Sequence, residues 1–394
     1  MDANTTAGSP RLLIDARALA TNVRVIRRGL APTVQVTAVI KADAYGLDAK
    51  LIAQLLTLIE EDGPFTKVDR YAVATAEEAA ALGTVTKPIM LLRPIENVFL
   101  GRQREALEYA IRHGWTLTLS SPAAADDVAR VAMHLQQRAD VQLMLDTGLT
   151  RCGCPADRFD DLVERVLAHA SLNLVAVCTH LVNGEVAGDP LTTRQLRLFD
   201  AAVANHPILD NVPKHVANSG GLFLTPRSHY DAVRPGLSLY GIDPTGRPNI
   251  DRPLVPVMKW TAPVMAIHDI VPGQGVGYGH AWTALAPTRV ALLPVGYADG
   301  YPRSASNRAM AMLHNTPCGV VGRVSMDMLT IDVTRVPDVC VGDEVTLVDA
   351  DPLSPASLYA LCRATDMIPY EILTGIGARV RRVPVGVEAE ALVD

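Results

Sequence analysis

A lysine at the end of an apolar run is the first residue whose type and position suggest chemistry. Lys41 ends the segment Val34–Lys41. If this segment is a strand, alternate side chains share a face, which places Lys41 beside Val39 and Thr37. Apolar neighbours would desolvate the amine and lower its pKa, which favours nucleophilic and Schiff-base chemistry. Position alone favours the alternative, a surface lysine whose stem lies along apolar surface.

Polar residues and glycines follow the later apolar runs, which end at Asp146, His180, Asn218-Ser219 and Arg234-Pro235-Gly236. In a parallel barrel the loops after the last two strands commonly bind phosphate, and Ser219 and Gly236 would offer a hydroxyl and an accessible backbone N–H. A lysine and a phosphate cradle at one mouth describe a site for pyridoxal 5′-phosphate (PLP). His180 taken alone could be a hydrogen-bonded core histidine, but its place at a strand end favours a site residue.

The elements that must position these residues alternate between strand-like and helix-like segments over the first 240 residues. Amphipathic or Ala-rich stretches separate the strand candidates and predict helices, among them Ala16–Leu30 and Glu96–His113. This alternation predicts a (β/α)8 barrel, with a doubly wound sheet as the alternative. The eight strand candidates are Val34–Lys41, Arg70–Thr75, Pro88–Leu92, Thr116–Ser120, Val141–Asp146, Leu174–His180, His215–Asn218 and Asp231–Arg234.

After Ile242 the pattern of residue types changes. A linker rich in Pro and Gly is followed by short Val/Ile/Leu/Met runs, which predict a predominantly β domain with one short helix at Ser354–Arg363. We therefore expect a PLP-binding barrel over residues 10–243 and a C-terminal β domain over residues 244–394. The predicted strands of the second domain lie within Val255–Ile270, Arg289–Val295, Met310–His314, Val320–Val324, Met328–Val333 and Glu344–Val348.

Composition excludes several classes of protein. The chain has 394 residues, a formal charge of −6 and 49% hydrophobic residues, which argues against disorder and against a nucleic-acid binder. The sequence shows no apolar run long enough for a membrane helix and no Sec-type signal, so we expect a cytoplasmic protein that contacts neither membrane nor nucleic acid. Six dispersed cysteines predict neither a disulfide framework nor a metal site.

The run Val39-Ile40-Lys41-Ala42-Asp43-Ala44-Tyr45-Gly46 resembles the PLP-lysine signature of the alanine racemase family. The resemblance extends in order from about Leu13 to Arg382. The further matching segments are Asp146–Arg151, Gln195, His215–Ser219, Val233–Gly241, Gly277–Gly279, Gly296–Gly300, Gly322–Asp327 and Pro369–Glu371.

This resemblance implies a role for each matched residue. Lys41 would carry PLP and act as one catalytic base, and Tyr278, reaching in from the partner subunit, would act as the other. Arg234 would face the pyridine nitrogen, His180 and Asn218 would lie near the cofactor, and Arg151 and Met326 would bind the substrate carboxylate. The phosphate would be held by Tyr45, Ser219, Gly236, Leu237 and Tyr370.

The chain departs from the family pattern at Leu47-Asp48, where His-Gly is common, and at Met144. Members often carry a carbamylated lysine two residues before the Asp of the Asp-Thr-Gly motif, where this chain has Met144. A thioether cannot replace a carbamate as a hydrogen-bond partner. Because a buried arginine without an anionic partner is costly, we expect the cofactor phenolate, the Tyr278 hydroxyl or a small anion to compensate at Arg151.

The function that the resemblance implies is PLP-dependent interconversion of L- and D-alanine by a two-base mechanism, in a head-to-tail homodimer with shared sites. The product would serve peptidoglycan precursors or D-alanine catabolism. Two alternatives stay open, a broader amino-acid racemase of the same fold and a non-catalytic PLP-binding homeostasis protein. The second alternative is disfavoured because such proteins resemble the barrel alone.

Overall fold

The strands predicted in the first 240 residues close into a parallel barrel, as expected. The computed structural model describes residues 8–96 and 103–388. Its chain divides into a barrel unit, Val23–Ala44 with Ile52–Leu239, and a β unit, which contains the segment through Asn22, Tyr45–Leu51 and the chain from Tyr240 onward. Strand β1 (Arg11–Asp15) belongs to the β unit.

Strands β2–β9 follow one another around the barrel, and β9 closes it by pairing in parallel with β2. Most of their side chains are buried, as expected for parallel strands that are covered on both faces. Each of the eight predicted strands is therefore present, with small shifts of its ends. The strands are β2 (Gln35–Val39), β3 (Arg70–Val73), β4 (Ile89–Pro94), β5 (Thr116–Leu119), β6 (Ala139–Met144), β7 (Leu172–Cys178), β8 (Lys214–His215) and β9 (Ala232–Val233).

Helices connect these strands and begin at recognisable caps. Ser121 caps α6 by accepting the Ala124 N–H, and Asp189 caps α8 by accepting the Thr192 N–H. Part of the predicted helix Glu96–His113 lies at residues 97–102, outside the described residues. The helices are α1 (Ala16–Arg28), α2 (Lys41–Gly46), α3 (Ala49–Leu58), α4 (Ala76–Ala81), α5 (Gln103–Arg112), α6 (Pro122–His134), α7 (Phe159–Ala168), α8 (Pro190–Ala204) and α9 (Ser219–Leu224).

The β unit contains a six-stranded sheet, a three-stranded sheet and a two-stranded hairpin. Strand β1 lies inside the large sheet, antiparallel to β10 and parallel to β19, so residues at opposite ends of the chain form adjacent strands. The remaining strands and helices are β10 (Met258–Pro263), β11 (Ala266–Ile270), β12 (Gly275–Val276), β13 (Trp282–Thr283), β14 (Thr288–Leu293), β15 (Met310–Leu313), β16 (Thr316–Gly319), β17 (Leu329–Asp332), β18 (Glu344–Val348), β19 (Arg381–Val385), α10 (Leu358–Thr365) and α11 (Pro369–Gly375).

The structure differs from the sequence-based prediction of this unit in particular places. The predicted strand Val320–Val324 is a loop that makes a single β-bridge, from Val320 to Ile331, because the chain turns at Gly322 with a φ of 78°. The single predicted run Val255–Ile270 forms two strands, β10 and β11. Strands β1 and β19 and helix α11 were not predicted. The predicted domain limits of 10–243 and 244–394 stay a prediction, and residues 389–394 lie outside the described residues.

Two features bear on the classes of protein considered above. All six cysteines are free thiols. Among the described residues, no helix combines the length and the apolar character needed to cross a bilayer.

Candidate active site

Three cationic side chains act on one another at the C-terminal mouth of the barrel. Lys41 follows β2, Arg151 follows β6 and Arg234 follows β9. Burial lowers the pKa of the Lys41 amine, the charges of Arg151 and Arg234 lower it further, and Glu78 opposes them. A larger fraction of Lys41 is therefore neutral than for a lysine in water. A neutral amine is the form that attacks a carbonyl or accepts a proton.

The turn that carries Lys41 is left-handed. Residues 42 to 45 have φ values of 52°, 54°, 53° and 59°, and Gly46 follows at 80°. Only the last of these positions is a glycine, and each left-handed residue with a side chain costs roughly 1–2 kcal/mol. A run of four such residues persists only when its surroundings hold it in place.

Glu78 on α4 holds the start of this turn. Its Oε1 accepts the Ala42 backbone N–H at 3.1 Å and its Oε2 accepts that of Ala74 at 2.6 Å. The Ala44 N–H donates to the Ile40 carbonyl at 2.8 Å. One carboxylate thus ties the residue after Lys41 to the end of β3 and also places a negative charge near the amine. The sequence analysis assigned no role to Glu78.

Arg234 is buried in the barrel and donates only to neutral groups. Its Nη1 donates to Nδ1 and to the carbonyl oxygen of His215, the latter at 2.8 Å. Its Nη2 donates to the Thr179 carbonyl at 2.8 Å, to the Val216 carbonyl at 3.1 Å and to His180 Nδ1 at 3.4 Å. None of these described hydrogen bonds involves a carboxylate, so a charged group is held in the interior by oriented dipoles.

Both histidines beside Arg234 are kept neutral. Burial, followed by the charges of Arg234, Arg151 and Lys41, lowers the pKa of His180 to about 3. Burial and the charges of Arg234 and Arg70 hold the pKa of His215 well below its usual range. Each imidazole can therefore offer a lone pair to the guanidinium, which has only hydrogens to give.

The residues predicted to hold phosphate in the barrel lie close together. Ser219 Oγ accepts hydrogen bonds from the Gly236 N–H at 3.0 Å, from the Ser238 N–H at 3.2 Å and from Ser238 Oγ at 3.0 Å. Its own hydrogen is thus left to donate to an anion, and Leu237 is buried beside it. The Asn218 side-chain oxygen is used differently, because it caps α9 by accepting the Gly221 N–H at 2.9 Å.

A second buried network fixes the loops that carry Arg151 and His180. Gln195 on α8 donates to Thr147 Oγ1 at 3.0 Å and to the His180 carbonyl at 2.9 Å. The Thr147 hydroxyl lies 2.8 Å from that of Thr179. Gln195 thereby links the loop after β6 to the loop after β7. The motif comparison had included Gln195 but had given no reason for its presence.

The expectation of a compensating group at Arg151 assumed that this arginine is buried, and the structure differs on that point. Met144 is buried at the end of β6, but Arg151 is exposed in this chain. Water can therefore solvate the guanidinium. Burial therefore does not require a compensating anion at Arg151 in the single chain, and the group that would pair with Arg151 in place of a carbamate stays a prediction.

In the β unit, Tyr278 lies on an exposed turn. The turn has positive φ at Gly277, Gly279 and His280, and the Tyr278 side chain is 71% exposed. It borders a groove of about 660 Å³ whose wall includes Arg323. Two glycines beside one tyrosine allow the backbone to present this side chain outward, which sequence alone shows only as a Gly-Tyr-Gly pattern.

Two tyrosines of the β unit lie beside the Tyr45 ring. Its ring centroid lies 5.1 Å from that of Tyr240 and 5.6 Å from that of Tyr370. Burial raises the pKa of Tyr45, so its hydroxyl remains a hydrogen-bond donor at physiological pH. The carbonyl of the next residue, Gly46, accepts two hydrogen bonds from Arg382, at 3.0 and 2.6 Å.

The backbone around Met326 is held by an ionic network that the sequence analysis missed. The Met326 carbonyl accepts the Ala298 N–H at 2.9 Å. Arg379 bridges Asp299 and Asp327, with 2.9 Å to each carboxylate. Asp299 and Asp327 were both within matched motifs, but only the fold shows that one arginine joins the two turns.

The left-handed turn predicts an unusual response to glycine. Ala42→Gly should raise the free energy of unfolding by about 0.5–1 kcal/mol, since relief of left-handed strain exceeds the added entropy of the unfolded chain. The matched control is Ala201→Gly in the right-handed helix α8, which should lower it by about 1 kcal/mol. Urea denaturation measures both, and a loss of stability in Ala42→Gly equal to that of the control would show that the turn is unstrained.

The lowered pKa of His180 predicts a loss of stability in acid. Below about pH 6.5 the unfolded chain binds a proton that the folded chain, with a pKa of about 3, does not bind. From pH 7.5 to 5.0 this group should remove about 2 kcal/mol of stability. His180→Gln should abolish that part of the pH dependence in urea denaturation. The control is the same substitution at exposed His268, and equal effects of both substitutions would contradict the assignment.

Two family models match this sequence. The alanine racemase N-terminal domain matches residues 14–244, and the alanine racemase C-terminal domain matches residues 257–384. The alanine racemase of Brucella suis is 35% identical over 395 residues, which cover 97% of this chain and 95% of that protein.

Solved structures are similar over nearly the whole chain. The alanine racemase from Streptomyces coelicolor has a TM-score of 0.87 and 30% identity, covering 98% of this chain and 100% of that one. The alanine racemase from Bartonella henselae with covalently bound pyridoxal phosphate has a TM-score of 0.83 and 30% identity, covering 96% and 99%.

Proposed function

This chain belongs to the alanine racemase family, and we propose that it uses PLP to interconvert L- and D-alanine. The observation that carries the proposal is the mouth of the barrel. There, a lysine with a lowered pKa lies within electrostatic reach of two arginines, and one arginine is buried among neutral acceptors. Such a site is suited to an aldehyde cofactor that bears several negative charges.

The chemistry of the residues present fits PLP. Two arginines and a lysine would offset the charges of a phosphate and a phenolate, and the Ser219 hydroxyl retains a hydrogen to donate to a phosphate oxygen. When bound, PLP supplies the electron sink that acidifies the α-hydrogen of an amino acid. In the barrel unit, Ser219, Gly236 and Leu237 would hold the phosphate, and the phosphate-binding roles of Tyr45 and Tyr370 stay what the family resemblance implies.

Arg234 would face the pyridine nitrogen, with His180 and Asn218 near the cofactor. A guanidinium donates a hydrogen bond but does not readily accept a proton from the ring, since its own pKa exceeds about 12. Because His180 and His215 stay neutral, neither ring adds a positive charge beside Arg234. The ring nitrogen would therefore remain unprotonated, which moderates its electron demand and disfavours side reactions.

Inversion at a carbon centre requires proton exchange on two opposite faces. We assign Lys41 to one face and Tyr278 to the other, with Arg151 and the backbone of Met326 binding the substrate carboxylate. The 71% exposure of the Tyr278 side chain supports its delivery to a neighbouring subunit. The active form would then be a head-to-tail homodimer in which residues 10–243 bind PLP and residues 244–394 supply the second base.

The substrate is a small amino acid, and the racemised product would be D-alanine for peptidoglycan precursors or for catabolism. A broader racemase of the same fold would accept larger side chains. Incubating the enzyme with a panel of L-amino acids and separating the enantiomers decides between these two. Alanine alone, or alanine with serine at a small fraction of its rate, is the expected result.

If Lys41 holds PLP, borohydride should fix a pyridoxyl group on Lys41 and abolish the visible absorbance of the purified protein. Mass spectrometry of a protease digest locates the modified residue. Lys41→Ala should show neither the label nor the absorbance. Labelling of another lysine in the wild-type protein would contradict the assignment.

If Tyr278 is the second base, Tyr278→Phe should retain PLP absorbance and lose roughly 10²–10⁴-fold in racemisation rate. Mixing inactive Lys41→Ala with inactive Tyr278→Phe and allowing subunit exchange should restore about a quarter of wild-type activity, since half of the dimers would each carry one intact site. Proven exchange without recovery would contradict shared sites.

A further inference from the structure

Arg234 is the first member of a chain of hydrogen bonds that crosses the barrel interior. His215 Nδ1 faces Arg234, and His215 Nε2 lies 2.8 Å from Gln142 Oε1. Gln142 Nε2 lies 2.6 Å from Thr118 Oγ1, and Thr118 Oγ1 lies 2.5 Å from the Leu91 carbonyl oxygen. We call these five residues, which come from or directly follow strands β4, β5, β6, β8 and β9, the relay.

The direction of every hydrogen bond in the relay follows from its first member. A guanidinium has only donors, so His215 Nδ1 must accept and the imidazole proton must lie on Nε2. Gln142 must then present its oxygen to His215 and its NH₂ group to Thr118. Since Thr118 Oγ1 accepts from Gln142, its own hydrogen goes to the Leu91 carbonyl. One arrangement of protons satisfies all of these groups.

Because these groups are buried, each of them needs its hydrogen-bond partner within the relay. Thr118, Gln142 and His215 are 0%, 1% and 3% exposed, so water cannot substitute for a lost partner. A rotated Gln142 amide would present its NH₂ group to His215 Nε2–H, and two donors would face each other. If His215 instead carried its proton on Nδ1, that N–H would face the Arg234 guanidinium, and two donors would again oppose each other. The orientation of the Gln142 amide is thus coupled to the position of the guanidinium.

We propose that Gln142 is a positioning residue for the reaction, which holds the His215 ring so that Arg234 is fixed toward the cofactor nitrogen. This inference rests on the proposed function, because it takes Arg234 as the partner of the PLP ring. Gln142 is buried, and its described side-chain partners are His215 and Thr118. It acts through His215, and Thr118 fixes the direction of its amide.

Burial, and then the charge of Arg234, lowers the pKa of His215, so the ring keeps the single proton that this arrangement requires. Arg70 contributes to the same effect from within the barrel unit. The relay therefore contains a single charged group, Arg234. The oriented dipoles of its neutral members stabilise that buried charge.

The test uses the holoenzyme with ¹⁵N-labelled histidine and ¹⁵N-labelled PLP. In the wild-type protein, His215 should show a protonated Nε2 and an unprotonated Nδ1 at neutral pH. In Gln142→Leu the His215 signals should shift or broaden, and the pyridine ¹⁵N signal should move downfield as its hydrogen bond weakens. The kcat for alanine should fall about tenfold, equivalent to ~1.4 kcal/mol, with KM changed less than kcat.

Two further variants separate positioning from packing. Gln142→Glu keeps an oxygen for His215 Nε2–H, and its second oxygen can accept the Thr118 hydroxyl hydrogen. It should therefore preserve the His215 tautomer and the pyridine signal better than Gln142→Leu. Thr118→Val should reproduce the Gln142→Leu spectra in weaker form, whereas Thr116→Val, on the same strand but outside the relay, should not.

Wild-type spectra and wild-type kcat in both Gln142→Leu and Thr118→Val would overturn the proposal, and so would a protonated Nδ1 in wild-type His215. If Gln142→Leu does not fold, the His215 and pyridine ¹⁵N spectra of Thr118→Val and Gln142→Glu still test whether Gln142 positions Arg234. If the wild-type protein binds no PLP or racemises no amino acid, the proposed function fails. The His215 tautomer, which is readable without PLP, then shows separately whether the relay exists.

Discussion

A buried guanidinium that can only donate hydrogen bonds is the constraint from which the interior of the barrel follows. Arg234 is 6% exposed, and its described partners are neutral acceptors. Every group that faces it must therefore supply a lone pair. Burial and the charge of Arg234 keep His180 and His215 neutral. Three strand-end carbonyls point inward to accept from Arg234, at Thr179, His215 and Val216. A carboxylate in their place would neutralise Arg234 and change what it could offer to a cofactor.

In the turn after Lys41, backbone strain accompanies the placement of one amine. Four consecutive non-glycine residues in the left-handed region are expensive, and they occur immediately after the lysine that we assign to the cofactor. Glu78 offsets part of this cost through the Ala42 N–H, and the same carboxylate raises the Lys41 pKa against the effect of burial. One side chain thus influences both the geometry and the protonation of the site.

The β unit organises its own candidate residues by different means. Tyr278 is presented by a turn in which glycines permit positive φ, whereas the backbone at Met326 is fixed by hydrogen bonds and by the bridge of Arg379 between Asp299 and Asp327. Both Tyr278 and Met326 are exposed in this chain.

Periodicity determined the barrel from the sequence alone, because parallel strands buried on both faces are continuous apolar runs and the helices between them are amphipathic. The eight strands, the change to β structure after Ile242 and the family motifs were all readable without coordinates. Strands β1 and β19 were not, since each is short and is stabilised by a partner more than 200 residues away. The handedness of the turn at Ala42–Tyr45 was hidden for a similar reason, because no local signal marks it and only tertiary contacts offset its strain. The relay from Arg234 through Gln142 exists only once the strands close into a barrel, because residues distant in sequence must meet before one donor can dictate the protonation of the rest.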